Sequence, residues 1–137
     1  MGVKYQVDEN FFKTWSSEMS YVLGFIAADG SLEDASYLRG KYLRVCSSDR
    51  EIIEKIKKAM CSEHTVVTLE PKEFEFLGKK YVSREKYMLR IGSHKIYNDL
   101  LKLGMYPNKS KTVKLPDIPK KLLPYFIRGY LDGDGCI

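Results

Sequence analysis

Gly24-Phe25-Ile26-Ala27-Ala28-Asp29-Gly30 recurs as Gly129-Tyr130-Leu131-Asp132-Gly133-Asp134-Gly135, at a constant offset of 105 residues. Three of the seven positions are identical and three more are conservative. Trp15, Met19, Val22 and Ile26 precede or enter the first copy at i, i+4, i+7 and i+11, one apolar stripe of a helix. Each copy therefore closes an apolar helix. A glycine inside a helix costs ~1 kcal/mol relative to alanine, so two matched mid-helix glycines need a reason. Ser20, Gly24 and Ala28 are spaced i, i+4, i+8, and Gly129 and Gly133 are spaced i, i+4. Both helices thus carry a strip with little side chain, along which two backbones can approach more closely than the usual ~8–10 Å. Pairing along these strips makes Asp29 and Asp134 neighbours.

Two carboxylates held together repel by ~4 kcal/mol at ~4 Å and an effective dielectric of about 20, so they call for a shared proton or a cation. Taken singly, each Asp-Gly is an ordinary helix-ending turn. As a matched pair they point to a hard divalent ion, above all Mg²⁺, which keeps several waters and takes its other ligands from carboxylate and phosphate. Phosphodiester hydrolysis uses such a site. Asp132-Gly133-Asp134-Gly135 is only faintly similar to a calcium loop, whose bidentate glutamate would fall past Ile137, and that reading is not favoured. His64 and His94 have no partner at ligand spacing and read as structural or surface residues. No GxxxxGK, HExxH or G-x-S-x-G pattern occurs, which removes the simplest nucleotide, zinc-protease and hydrolase readings.

Working outward from the repeat, Ser16 or Ser17 caps the first helix, which ends at Asp29-Gly30. Residues 31–47 read as a hairpin in which Leu43 and Val45 alternate with Tyr42, Arg44 and Cys46. Ser48-Asp49-Arg50-Glu51 forms a capping box for a helix that buries Ile52, Ile53, Ile56, Ala59 and Met60. Residues 65–76 and 81–91 make a second hairpin about Gly78, with Arg84, Lys86, Met88 and Arg90 on one face. Ser93 caps a short helix stopped by Gly104. An extended connector carries alternating lysines, and Pro124 begins a last helix running to Gly133. The expected fold is α+β: an αββαββα lobe with a four-stranded antiparallel sheet and helices on one face, plus the first helix of a second lobe. Its expected divisions are an N-terminal segment (1–15), the lobe (16–104), the connector (105–118) and the second motif helix (119–137).

The 137 residues suit one domain, and 44% hydrophobic with 30% charged residues is a globular balance. Lysine and arginine number 23 against 18 acids. The excess is concentrated: residues 79–121 hold twelve bases and three acids. A basic half suits a polyanion, nucleic acid being the common one, and its bland reading is a solvated lysine-rich surface. The uncharged stretch 19–28 is about half the ~20 residues that a membrane span needs, and acids precede it where a signal peptide has bases. Cys46, Cys61 and Cys136 form no CxxC pair and read as free thiols of an intracellular protein.

Val22-Leu23-Gly24-Phe25-Ile26-Ala27-Ala28-Asp29-Gly30 and Ile127-Arg128-Gly129-Tyr130-Leu131-Asp132-Gly133-Asp134-Gly135 resemble the two motifs of LAGLIDADG (dodecapeptide, DOD-type) homing endonucleases. The likeness covers the chain from about Ser16 onward. It implies a double-stranded DNA endonuclease in which paired motif helices form the floor between two lobes. Asp29 and Asp134 then bind the divalent metal, the sheet lies in the major groove, and cleavage occurs across the minor groove. Strand parity puts Tyr42, Arg44, Arg84, Lys86 and Arg90 on the DNA face. Lys41 and Arg44 are candidates for the basic side chain beside the metal, and Lys109 and Lys111 join the DNA-contacting set. The chain departs from the family pattern at Ala27, where the second copy keeps the acid Asp132; that position reads as structural. It also stops two residues past the second motif, so either it is truncated or a second chain, in a homodimer or swapped dimer, supplies the other half. A non-catalytic DNA-binding module on the same scaffold and an RNA-splicing maturase are the alternatives.

Overall fold

The computed structural model describes residues 6–35, 40–82, 84–105 and 117–134. Helix α1 (Ser17–Asp29) begins where Ser16 turns extended and its hydroxyl accepts the Met19 N–H at 3.0 Å. It ends where the Gly30 N–H reaches the Ile26 carbonyl at 2.9 Å. Every residue from Met19 to Ala27 is buried, because the lobe packs on one side of α1 and the last helix packs on the other. An all-round apolar helix of this kind belongs at the centre of a fold.

Strands β1 (Ser31–Ala35) and β2 (Gly40–Ser47) follow as the expected antiparallel hairpin, with Leu32 opposite Leu43 and Ser31 opposite Arg44. Helix α2 (Arg50–Ala59) starts one residue later than the capping box places it. The cap is Asp49, whose carboxylate accepts the Glu51 N–H at 3.0 Å, while the Ser47 hydroxyl holds the Asp49 N–H. A charged acceptor makes the stronger cap bond, so the aspartate prevails over Ser48.

The second hairpin also differs from its expected form. Each long arm breaks in two, giving β3 (Val67–Leu69), β4 (Glu73–Phe76), β5 (Lys79–Val82) and β6 (Lys86–Gly92). Pro71, which has no N–H to give a ladder, interrupts the first arm. The described residues therefore hold six strands: an antiparallel sheet ordered β1-β2-β6-β3 and a separate β4-β5 ribbon. Both faces of the ribbon are exposed, Phe74 stacks on Tyr81 with ring centroids 5.6 Å apart, and Leu77-Gly78 at the tip have φ of 53° and 77°. Two consecutive positive φ values are what a two-residue type I′ turn requires.

Leu43, Val45, Leu89 and Ile91 form the inner sheet face and meet Ile53, Ile56 and Met60 around α2 and Ile96 and Leu100 of helix α3 (His94–Lys102). Ser93 caps α3 as expected. Phe11 and Phe12 are buried too, and backbone bonds from Asp8 to Met60 and from Glu63 to Gln6 tie residues 6–12 to the lobe. Their sequence shows no clean period because they pack as irregular chain. The connector lysines Lys109 and Lys111 lie outside the described residues. After a 3₁₀ turn (Lys120–Leu122), helix α4 (Leu123–Asp134) carries Pro124 in its first turn.

Candidate functional site

Helices α1 and α4 run side by side in the same direction and touch backbone to backbone. A Cβ added at Gly24 would collide with the Phe126 carbonyl oxygen and lie 3.0 Å from the Tyr130 nitrogen. One added at Gly129 would collide with the Tyr21 carbonyl oxygen and lie 3.0 Å from the Phe25 nitrogen. Phe126, Gly129 and Tyr130 are the images of Tyr21, Gly24 and Phe25 under the 105-residue offset. The contact is thus reciprocal, as a two-fold interface must be. Each glycine Cα–H points at a carbonyl across the interface, a contact that recurs where helices pack closely. The small-residue strip runs on: a Cβ at Gly133 would stand 2.9 Å from the Phe25 oxygen and 3.0 Å from the Ala28 Cβ. Ser20, one turn before Gly24, is wholly buried.

The next residue after Ala28 is Asp29, and the next after Gly133 is Asp134. Asp29 is exposed at the end of α1, and the Asp134 side chain lies outside the described set. Among the described residues no group of three or more His, Cys, Asp or Glu side chains converges as a metal cage. A Mg²⁺ site asks for less, since it uses one or two carboxylates with water and phosphate oxygens. The carbonyl ends of two parallel helices add partial negative charge at that place. The described donor at this place is the Asp29 carboxylate, an oxygen ligand of the kind that a hard divalent cation takes.

Asp132, whose first-motif counterpart is Ala27, is engaged elsewhere: it accepts the Tyr21 hydroxyl at 2.5 Å. Burial, reinforced by that hydrogen bond, pushes the Tyr21 phenol above its ordinary range. The Lys55 ammonium lies 4.3 Å from the Tyr21 ring centroid. Ser17, Tyr21, Val22, Lys55, Pro124 and Arg128 are among the residues around an open cleft of about 520 Å³ beside this pair.

Strand parity sorts the expected DNA-contacting residues. With Leu43, Val45, Leu89 and Ile91 buried, Tyr42, Arg44, Lys86 and Arg90 project from the outer face. Arg44 is directly opposite both Arg90 and Ser31, two residues beyond Asp29, so the outer face adjoins the acid-bearing end of α1. Two residues depart from expectation. Lys41 is one position out of phase and lies on the other side, with its ammonium 5.0 Å from the Tyr97 ring. Arg84 is exposed in the segment between β5 and β6, so strand parity does not assign it a face. Sequence reasoning also passed over Glu33, which projects from the outer face opposite Tyr42 and pairs with Arg90 at 3.0 Å and Arg44 at 3.8 Å. The inward Leu32 beside it was the signal.

The two helices are symmetric in contact but not in cover. Val22, Phe25 and Ile26 are buried against the lobe, whereas their images Ile127, Tyr130 and Leu131 are 42–49% exposed. No helix among the described residues is long and apolar enough to cross a membrane. Cys46 and Cys61 are free thiols; Cys136 lies outside the described residues. A scan against protein-family models finds no match to this chain, and a search of curated proteins finds none.

Proposed function

We propose that this chain is a metal-dependent double-stranded DNA endonuclease of the LAGLIDADG homing type. The observation that carries the reading is the reciprocal seating of Gly24 and Gly129, which sets the acid-bearing ends of the repeated motif side by side. Asp29 and Asp134 would hold Mg²⁺ there, and the bound ion would polarise a scissile phosphate. The chain's own part is to bring that phosphate to the helix ends. Lys86 and Arg84 attract the backbone, with Lys109 and Lys111 of the connector, while Tyr42, Arg44 and Arg90 face the groove. The outer face of a twisted antiparallel sheet presents alternate side chains to a duplex, and the opposite face stays packed on the helices.

The bare outer side of α4 is where a second lobe, related to the first by the same two-fold, would sit. Ile127, Tyr130 and Leu131 offer it the apolar surface that Val22, Phe25 and Ile26 give the first. A second copy of the chain is one source of such a lobe.

The test is incubation with a plasmid library of random inserts, with and without Mg²⁺, beside the Asp29→Asn variant. Nicking or cutting that needs Mg²⁺ and vanishes in the variant is expected. Duplex binding that survives the substitution, with no cleavage by the parent, would leave a DNA-binding module on this scaffold. Preference for a structured RNA over duplex DNA would favour a splicing role.

A further inference from the structure

We infer that Glu33 is a positioning residue that converts Arg44 and Arg90 from phosphate-binding cations into readers of a G·C base pair. The inference rests on the proposal that the outer sheet face lies on duplex DNA. Four side chains from three neighbouring strands make the arrangement. Arg90 Nη2 donates to Glu33 Oε2 at 3.0 Å, and Arg44 Nη1 lies 3.8 Å from Glu33 Oε1. Arg44 and Arg90 are directly opposite each other, and the Arg90 guanidinium lies 3.8 Å from the centroid of the Tyr42 ring. Like charges directly opposite on a sheet repel. The carboxylate beside them hydrogen-bonds Arg90 and offsets the repulsion at Arg44, which it meets as an ion pair only.

Glu33 is about one-third exposed, so these ion pairs are screened and add little to stability. Their consequence is for recognition. Two arginines and one glutamate sum to a single positive charge, and the carboxylate repels any phosphate that approaches. A base edge carries no net charge and meets no such repulsion. In the major groove guanine offers the O6 and N7 acceptors that a guanidinium fork matches, and cytosine offers an N4 donor that a carboxylate accepts. The trio therefore presents the complement of a G·C pair, with an arginine for the purine and Glu33 for the pyrimidine. A guanidinium already held by a ring and a carboxylate loses less freedom on binding. Lys86, on the same face of β6, makes no ion pair among the described residues and keeps the backbone-binding role.

The experiment is selection of duplexes from a random-sequence DNA library by the full chain and by Glu33→Gln, Arg90→Gln and Lys86→Gln. The parent should enrich duplexes sharing a G·C pair at one fixed position, by about tenfold over A·T. Glu33→Gln should cut that preference to about twofold while total duplex affinity holds or rises and its salt dependence steepens. Arg90→Gln should lose the same preference. Lys86→Gln should weaken binding to all sequences and leave the preference intact. A Glu33→Gln variant that keeps the full G·C preference overturns the inference while leaving DNA binding in place. A parent that retains no duplex overturns the DNA-binding proposal and this inference with it.

Discussion

Gly24 and Gly129 seat reciprocally on each other's helices: each presents its bare Cα to a carbonyl of the partner helix, Phe126 for the first and Tyr21 for the second. Backbone atoms cannot rotate aside as a flexible side chain can. The sign of a substitution there is therefore decided by tertiary contact, against helix propensity.

Gly24→Ala and Gly129→Ala should each destabilise the protein by about 3 kcal/mol or more, since overpacking costs ~1–3 kcal/mol even where side chains can yield. Without the helix–helix contact, the same change would stabilise an exposed helix by ~1 kcal/mol. Urea unfolding measures the difference. The double variant should cost clearly less than the two singles combined, because one separation of the helices relieves both collisions. A stabilising alanine at either place would mean that α1 and α4 do not pair in solution.

Tyr21 gives an alkaline limit to stability. Its folded pKa is raised above the usual 10 by burial and by the bond to Asp132, so above about pH 10 the unfolded chain releases a proton that the folded chain retains. Stability is fully present below about pH 10 and falls as pH rises beyond it. Tyr21→Phe removes a hydrogen bond to a carboxylate, worth ~1.5–3 kcal/mol, and should also flatten this decline. Unfolding by urea at about pH 7 and about pH 11 reads both effects. An equally steep alkaline decline in the variant would assign it to other groups.

His64 acts at the acidic side. Its Nδ1 lies 2.7 Å from Ser62 Oγ, which already accepts the His64 backbone N–H at 3.0 Å. Burial, with Lys57 as a lesser cause, lowers its pKa below the usual 6.5. The unfolded chain therefore takes up a proton first on acidification. The stability due to neutral His64 is complete above about pH 6.5 and is lost as pH falls below it. His64→Gln should show a shallower loss between about pH 7 and pH 5, followed by thermal melting. An unchanged slope would show that the ring is not held neutral by the fold.

Local structure and the helix pairing were legible because each rests on a short-range rule. Ser16 and Ser93 announced their caps, the alternation about Leu43 and Val45 announced the inner and outer faces, and the spaced glycines announced a close approach. What escaped the sequence depended on partners far along the chain. Glu33 meets Arg90 across two strands and 57 residues, and Tyr21 meets Asp132 across 111. The alternation over residues 65–76 does not show the break at Pro71, which ends β3 before β4 begins and makes the second hairpin shorter than its pattern. Phe11 and Phe12 had no period to reveal them, since they enter the core on irregular backbone. Lys41 and Arg44 are three residues apart on β2, and an odd step reverses the face, so the two candidates for a basic side chain beside the metal project to opposite sides of the sheet.

On the proposed reading, Asp132 and Asp29 have separable roles, one in the fold and one in the chemistry. Asp132 is partly buried and accepts a hydrogen bond from Tyr21, so Asp132→Asn should lower stability by about 1–2 kcal/mol and leave Mg²⁺-dependent cleavage at a temperature where the variant is folded. Asp29 is exposed, so Asp29→Asn should change stability by less than about 1 kcal/mol while removing cleavage. Duplex affinity without Mg²⁺ should hold or rise in Asp29→Asn, because one negative charge has left the surface that phosphate approaches. Measuring melting, binding and cleavage on both variants separates the roles. Cleavage that persists in Asp29→Asn and disappears in folded Asp132→Asn would move the chemistry to the Tyr21 side of the helix pair.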